Sequence, residues 1–111
     1  MNKIIPIAIN DILTDAPGCS EMLTHACIRG NHWVITGGGC GDGVFLAAAE
    51  EAAPDAPLLN YRFAPLCVSS ATDDIAAAVT ERYAAGFTTV AFFPAADGLW
   101  ALFAAPDRSE T

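Results

Sequence analysis

Three apolar runs, Trp33-Val34-Ile35, Val90-Ala91-Phe92-Phe93 and Leu99-Trp100-Ala101-Leu102-Phe103, show no alternation of polar and apolar residues. Successive side chains of a strand point to opposite faces of its sheet, so a strand with one solvated face alternates. As strands, these runs need cover on both sides. Helices, strong curling, a partner protein, or a second copy packed sheet to sheet can supply it. The 111 residues suit one compact domain spanning 1–111, since two cores would each be too small to be stable. Hydrophobic residues make up 53% and charged residues 16%, which fits some apolar surface ending against a partner.

Along the chain, Lys3 to Ile9 is apolar and β-branched, and Pro6, which cannot donate to a ladder, places it at a sheet edge. Asn10-Asp11 and Asp15-Ala16-Pro17-Gly18 supply turn and helix-start chemistry. Cys19, Met22, Leu23, Ala26 and Cys27 then recur at helical spacing, and Gly30 stands where a left-handed residue closes a helix. His32 to Thr36 reads as a buried strand. Leu58 to Val68 reads as extended, with a break or bulge at Pro65.

Thr72 is the expected cap of a second helix, with Asp73 and Asp74 in its first turn and Ile75, Val79 and Tyr83 along one face. Gly86 ends that helix, and Phe87 is placed for the apolar contact of a Schellman cap. Thr88 to Phe93 and Leu99 to Phe103 flank Pro94-Ala95-Ala96-Asp97-Gly98, a hairpin with Asp-Gly turn chemistry. Ala104 to Thr111 reads as a frayed tail.

The two halves echo one another. Each has a strand, a helix ending at Gly30 or Gly86, a second strand, and then Asp42-Gly43-Val44-Phe45 or Asp97-Gly98-Leu99-Trp100, at spacings that agree to one residue. The predicted fold is therefore α+β, a two-layer sandwich with a mixed, mostly antiparallel sheet and two main helices, built as a duplicated β-α-β-β unit with halves 1–53 and 57–106. The alternative makes Asp42 the cap of an alanine- and glutamate-rich helix over Val44 to Ala53, stopped by Pro54, and gives a β-α-β-α-β-α-β-β α/β sandwich.

Five of the nine glycines fall within Thr36-Gly37-Gly38-Gly39-Cys40-Gly41-Asp42-Gly43. Such a stretch can present backbone N–H groups to an anion, but no Lys-Ser or Lys-Thr follows it, so the phosphate-loop pattern is incomplete. Asp42-Gly43 reads as a hairpin turn, and Gly37, Gly38, Gly39 and Gly41 let a backbone approach closely, whether of a ligand, a partner or an opposing subunit. Cys40 is a candidate nucleophile, with His25 or His32 as base and Asp42 as orienting group. Cys19 and Cys27 lie about two helical turns, roughly 12 Å, apart, too far for one zinc, and no Cys-x-x-Cys pair occurs. They read as small core residues of a helix, and Cys67 as a buried strand residue. Ser69 and Ser70 lack the context of a nucleophile elbow. No metal or cofactor is expected. The four cysteines come without an export signal, so reduced thiols and a cytoplasmic location are the expectation.

The formal charge is −8, and the five cations, Lys3, Arg29, Arg62, Arg82 and Arg108, are scattered. Phosphate neutralisation needs clustered Lys and Arg, so direct nucleic-acid binding is disfavoured, and no run approaches the roughly 20 apolar residues of a membrane span. An acidic protein is steered toward basic surfaces. The expected function is a non-catalytic acidic protein-binding domain, acting as a homodimer or by burying its apolar sheet face. A sharper form is an inhibitor of phage or mobile-element type, anti-CRISPR-like in size and charge, that occupies a basic surface of a nucleic-acid-binding complex. Asp73, Asp74 and Glu81, with Glu50, Glu51 and Asp55, are the candidate contact residues. The alternatives are a small-molecule-binding domain and a thiol enzyme using Cys40.

Overall fold

A tight reversal at Asp42-Gly43 decides how the middle of the chain is built. Both residues are left-handed, with φ 52° and 76°, as the two-residue hairpin turn that matches strand twist requires. In a computed structural model the chain runs β1 (Asn2–Ala8), α1 (Ile9–Thr14), α2 (Ala16–Ala26), β2 (Trp33–Gly41), β3 (Val44–Glu51), β4 (Leu59–Cys67), α3 (Thr72–Ala84), β5 (Thr88–Ala95) and β6 (Gly98–Pro106). The structure describes residues 2–28, 32–68, 71–95 and 98–106. Gly30, Ser69, Ser70 and Asp97, each given a role or weighed above, lie outside the described residues.

The stretch after the turn is therefore a strand, and the helical alternative for Val44 to Ala53 is overturned. Alanine favours helices, but Phe45, Ala47 and Ala49 are buried at the period of a strand and pair with both neighbours. The sheets also differ from expectation. Instead of one mixed sheet there are two, ordered β1-β3-β2 and β4-β6-β5, each wholly antiparallel. The return strand of each hairpin inserts between the strand before the helix and the strand after it, so no two parallel strands are neighbours. Pro6 and Pro94 stand in edge strands, where a missing N–H is tolerated, and the register of β4 slips between Pro65 and Cys67, where a bulge was predicted.

One face of each sheet packs against the other. Phe45 from β3, Phe63 from β4 and Phe93 from β5 meet with ring centroids 5.0–6.1 Å apart, in tilted and edge-to-face contacts. Ile7, Ile35, Tyr61, Leu102 and, from the helices, Ile12 and Leu23 complete this core. Among the glycines, Gly38 has a specific packing role. A Cβ there would stand 2.6 Å from the tip of the Phe45 ring and 2.8 Å from the Leu46 carbonyl oxygen, so the bare backbone is what lets the ring lie down.

Helix α2 does not lie on the sheet of its own half; it packs along β4. Asp15 caps it by accepting from the Gly18 N–H at 3.1 Å. From this helix the Ser20 and Thr24 hydroxyls, one turn apart, accept hydrogen bonds from the Phe63 and Tyr61 N–H groups, each at 2.9 Å. The outward N–H groups of edge strand β4 are thereby satisfied within the chain. The Tyr61 hydroxyl in turn accepts from the Ile35 N–H at 2.9 Å, beside the bulge in β2, and ties the two sheets together.

Helix α3 lies over the outer face of the second sheet, where Ala101 and Phe103 of β6 are fully buried. The both-sided apolar pattern of β6 is thus covered within the chain. The helix begins at Thr72 with Ala71 as its uncapped N-cap, one residue earlier than predicted. It ends in the predicted Schellman motif: Phe87 N–H donates to the Arg82 carbonyl at 2.9 Å, Gly86 N–H to the Tyr83 carbonyl at 3.0 Å, Gly86 has φ 98°, and the Phe87 ring meets Phe103. Tyr83 is the exception. It is 70% exposed, because Arg82 takes the inward position in the last turn, its guanidinium over Phe103 and donating to the Pro65 carbonyl at 3.1 Å. At the other hairpin Ala95 pairs with Gly98, so Gly98 opens β6 instead of completing the turn, and β6 runs on to Pro106 through residues predicted to fray.

The role of the α2 hydroxyls is testable. Ser20→Ala orphans the buried Phe63 N–H and is expected to lower stability by about 1–3 kcal/mol in denaturant unfolding, whereas Thr14→Ala, which removes an exposed bond to the Asn10 carbonyl, should change it by less than about 0.5 kcal/mol.

Candidate functional site

Residues Gly37, Gly38, Gly39, Cys40 and Gly41 are not a loop. They form the second half of β2, paired in register with Ala48, Ala47, Leu46, Phe45 and Val44, and Asp42 is the first turn residue. Gly37, Gly39 and Gly41 pair with Ala48, Leu46 and Val44 on the outer face of the first sheet, and a Cβ at any of the three would meet nothing within 4 Å. At Gly38 the group that approaches closely is the Phe45 ring of the same chain.

Cys40 is not joined to a base. His32 stands just before the far end of the same strand, eight residues away or roughly 25 Å at strand rise. His25 is in the last turn of α2. Among the described residues no hydrogen bond links Cys40 to either histidine or to Asp42. Burial raises the Cys40 thiol above its ordinary range, although the residue as a whole is exposed. A nucleophilic thiol needs the opposite shift. Cys19 is raised by burial and then by the Asp11 and Asp15 carboxylates, and Cys27, buried on α2, is pushed up to about 11 by burial against the pull of Lys3. None of the four cysteines is in a disulfide; Cys67, predicted buried, is half-buried beside the β4 bulge. Among the described residues no group of three His, Cys, Asp or Glu side chains is placed to hold a metal ion, and no helix is long and apolar enough to cross a membrane.

The six candidate carboxylates are all exposed. Asp73, Asp74 and Glu81 project from α3, over the second sheet. Glu50 and Glu51 end β3 in the first sheet, and Asp55 lies in the turn that follows. They fall on three parts of the chain, α3, the end of β3 and the turn after it. Tyr83 extends the α3 surface, an exposed aromatic that helical periodicity alone placed inward.

A site that no sequence pattern signalled runs along the free edge of β4. It is a groove of about 560 Å³ between the start of α2, at Ala16 and Pro17, and Phe87 beyond α3, floored by β4 from Asn60 to Pro65 and by Trp100. Arg62 stands on the outer face opposite Phe103, with its guanidinium 5.8 Å from the centre of the Phe87 ring. The only sequence hint was a single cation within the apolar run from Leu58 to Val68. No family model, curated protein or solved structure matches the chain.

The thiol shifts carry a pH consequence. Cys27 has a folded pKa near 11 against 9.0 when unfolded, so its stabilisation is complete below pH 9 and is lost as pH rises toward 11; Tyr61, raised chiefly by burial, acts in the same direction. The melting temperature should hold to pH 8.5 and fall between pH 9 and 11, and Cys27→Ala should flatten that fall. In alkylation at neutral pH, Cys40 should react no faster than an ordinary exposed thiol and Cys27 only on unfolding.

Proposed function

We propose that this chain is a non-catalytic, acidic protein-binding domain that docks on a basic surface of another protein through the outward face of α3. The observation that carries this reading is the composition of that face. No residue of the helix is buried: Asp73 and Asp74 are exposed in its first turn, and Glu81 and the 70% exposed Tyr83 in its last. A protruding tyrosine is a frequent interface anchor, and exposed carboxylates on the same helix steer a cationic partner. An inhibitor that occupies the nucleic-acid groove of a basic complex is the sharper form of the same reading, supported by the net charge of −8 and the small size.

Two further features bear on assembly. The outer face of the first sheet has no helix over it among the described elements, and exposes Ile4 at 57% and Leu46 at 40% beside Pro6, Gly37 and Gly39. A homodimer through this apolar patch, with Glu50 at its margin, is the second reading, because exposed apolar surface with no helix over it favours association. We also read the halves as a duplicated β-α-β-β unit. The identical strand order of the two sheets supports this, as does a bulge that precedes the hairpin connection by the same interval in β2 and β5.

Affinity capture from a native lysate tests the docking face. The wild-type chain should retain a basic protein in a salt-sensitive manner, and the doubly reversed variant Asp73→Lys with Glu81→Lys, or Tyr83→Ala, should weaken that retention at least about tenfold. Retention unchanged by all of these substitutions would remove α3 as the docking face. Sizing of the wild type beside Leu46→Glu tests the homodimer, which the substitution should dissociate.

A further inference from the structure

The groove along β4 differs from the rest of the surface in its charge. Three cations fall among the described residues, and Lys3 is engaged over the Trp33 ring at 4.4 Å. The other two border this groove: Arg62 lines it, and Arg82 donates to the carbonyl of Pro65, which also lines it. No aspartate or glutamate is among the described lining residues. In a chain of net charge −8 this is a local inversion of sign. The carboxylates elsewhere act through water and are screened beyond a Debye length of about 8–10 Å, whereas a guanidinium at an apolar wall acts at contact.

The hydrogen bonding of the strand edge narrows the occupant. An extended peptide adds to a sheet by pairing with outward N–H groups of an edge strand. Along β4 those of Tyr61 and Phe63 are already given to Thr24 and Ser20, and residue 65 is a proline with none to give. The groove therefore offers apolar walls and a cation, without a free ladder. Its volume lies within the range of small-molecule sites.

We propose that this groove binds a small amphiphilic organic anion, with a carboxylate- or sulfonate-type head paired to Arg62 beside Phe87 on the outer side of the β4 edge and an apolar body of one or two rings reaching round that edge onto Pro65 and Trp100. A guanidinium whose face rests near an aromatic ring keeps its in-plane N–H fork for a bidentate oxyanion. The site is separate from the acidic outward face of α3 and stands or falls independently of the docking reading.

The test uses the intact chain with two fluorescent probes of similar ring size, anilinonaphthalenesulfonate and its uncharged analogue N-phenylnaphthylamine. The sulfonate is expected to bind at one equivalent, at least about tenfold more tightly than the neutral probe, with energy transfer from Trp100 that survives Trp33→Phe. Arg62→Gln should remove about tenfold of the affinity, Arg62→Lys should restore part of it, and Lys3→Gln should leave it unchanged. Amide shifts on titration should centre on residues 60–65. Equal binding of the two probes, indifference to Arg62→Gln, or shifts centred on the outer face of β3 would each overturn the proposal. So would displacement of the sulfonate at Arg62 by an acidic peptide but not by benzoate or naphthoate, since the site would then be a peptide groove.

Discussion

The meeting of Phe45, Phe63 and Phe93 between the sheets is the contact on which the remaining architecture depends. Each ring comes from a different strand and two of them from the second half of the chain, so the cluster forms only when the two sheets close face to face. That closure sets the position of Gly38 beneath Phe45, brings the Tyr61 hydroxyl to the Ile35 N–H, and leaves one open side between the sheets. Helix α2 fills this side with Leu23 and Cys27, and its commitment there is the reason that the first sheet has no helix on its outer face.

The same placement of α2 explains how the chain manages the edges of its sheets. Unpaired edge strands invite association, and three of the four edges here have a specific block. Pro6 interrupts β1, Pro94 interrupts β5, and β4 combines Pro65 with the two hydroxyls of α2. Closing the β4 edge with serine and threonine, rather than with another strand, leaves a groove in which the N–H groups of Tyr61 and Phe63 are already taken. Side-chain chemistry alone then decides what can lie there.

Charge is distributed by the same geometry. Arg62 lies 5.8 Å from the centre of the Phe87 ring and Arg82 5.0 Å from that of Phe103, so the arginines among the described residues are drawn to one flank, while α3 and the end of β3 carry carboxylates outward. A chain that is acidic overall thus presents an acidic helix and a small cationic groove on neighbouring elements.

Local chemistry was legible in the sequence wherever a single residue type dictates a backbone state. The Asp42-Gly43 turn, the Schellman end at Gly86-Phe87, the edge position of Pro6 and the bulge at Pro65 each follow from the φ a residue can adopt or a hydrogen bond it cannot donate. The strand order of each sheet was not legible, because pairing of β3 with β1 depends on where a return strand finds space. Nor was the outward turn of Tyr83, since helical period alone puts it beside Ile75 and Val79, and only the reach of Arg82 to the Pro65 carbonyl displaces it. The candidate site shows the same division. The sequence determined that the chain is acidic, one domain in length, and supplied with exposed carboxylates on a second helix. Only the tertiary structure decided that Cys40 lies far along its strand from His32, and that Arg62, Phe87 and Trp100, distant in sequence, line one groove. A site of this kind is assembled by long-range packing, which residue spacing does not encode.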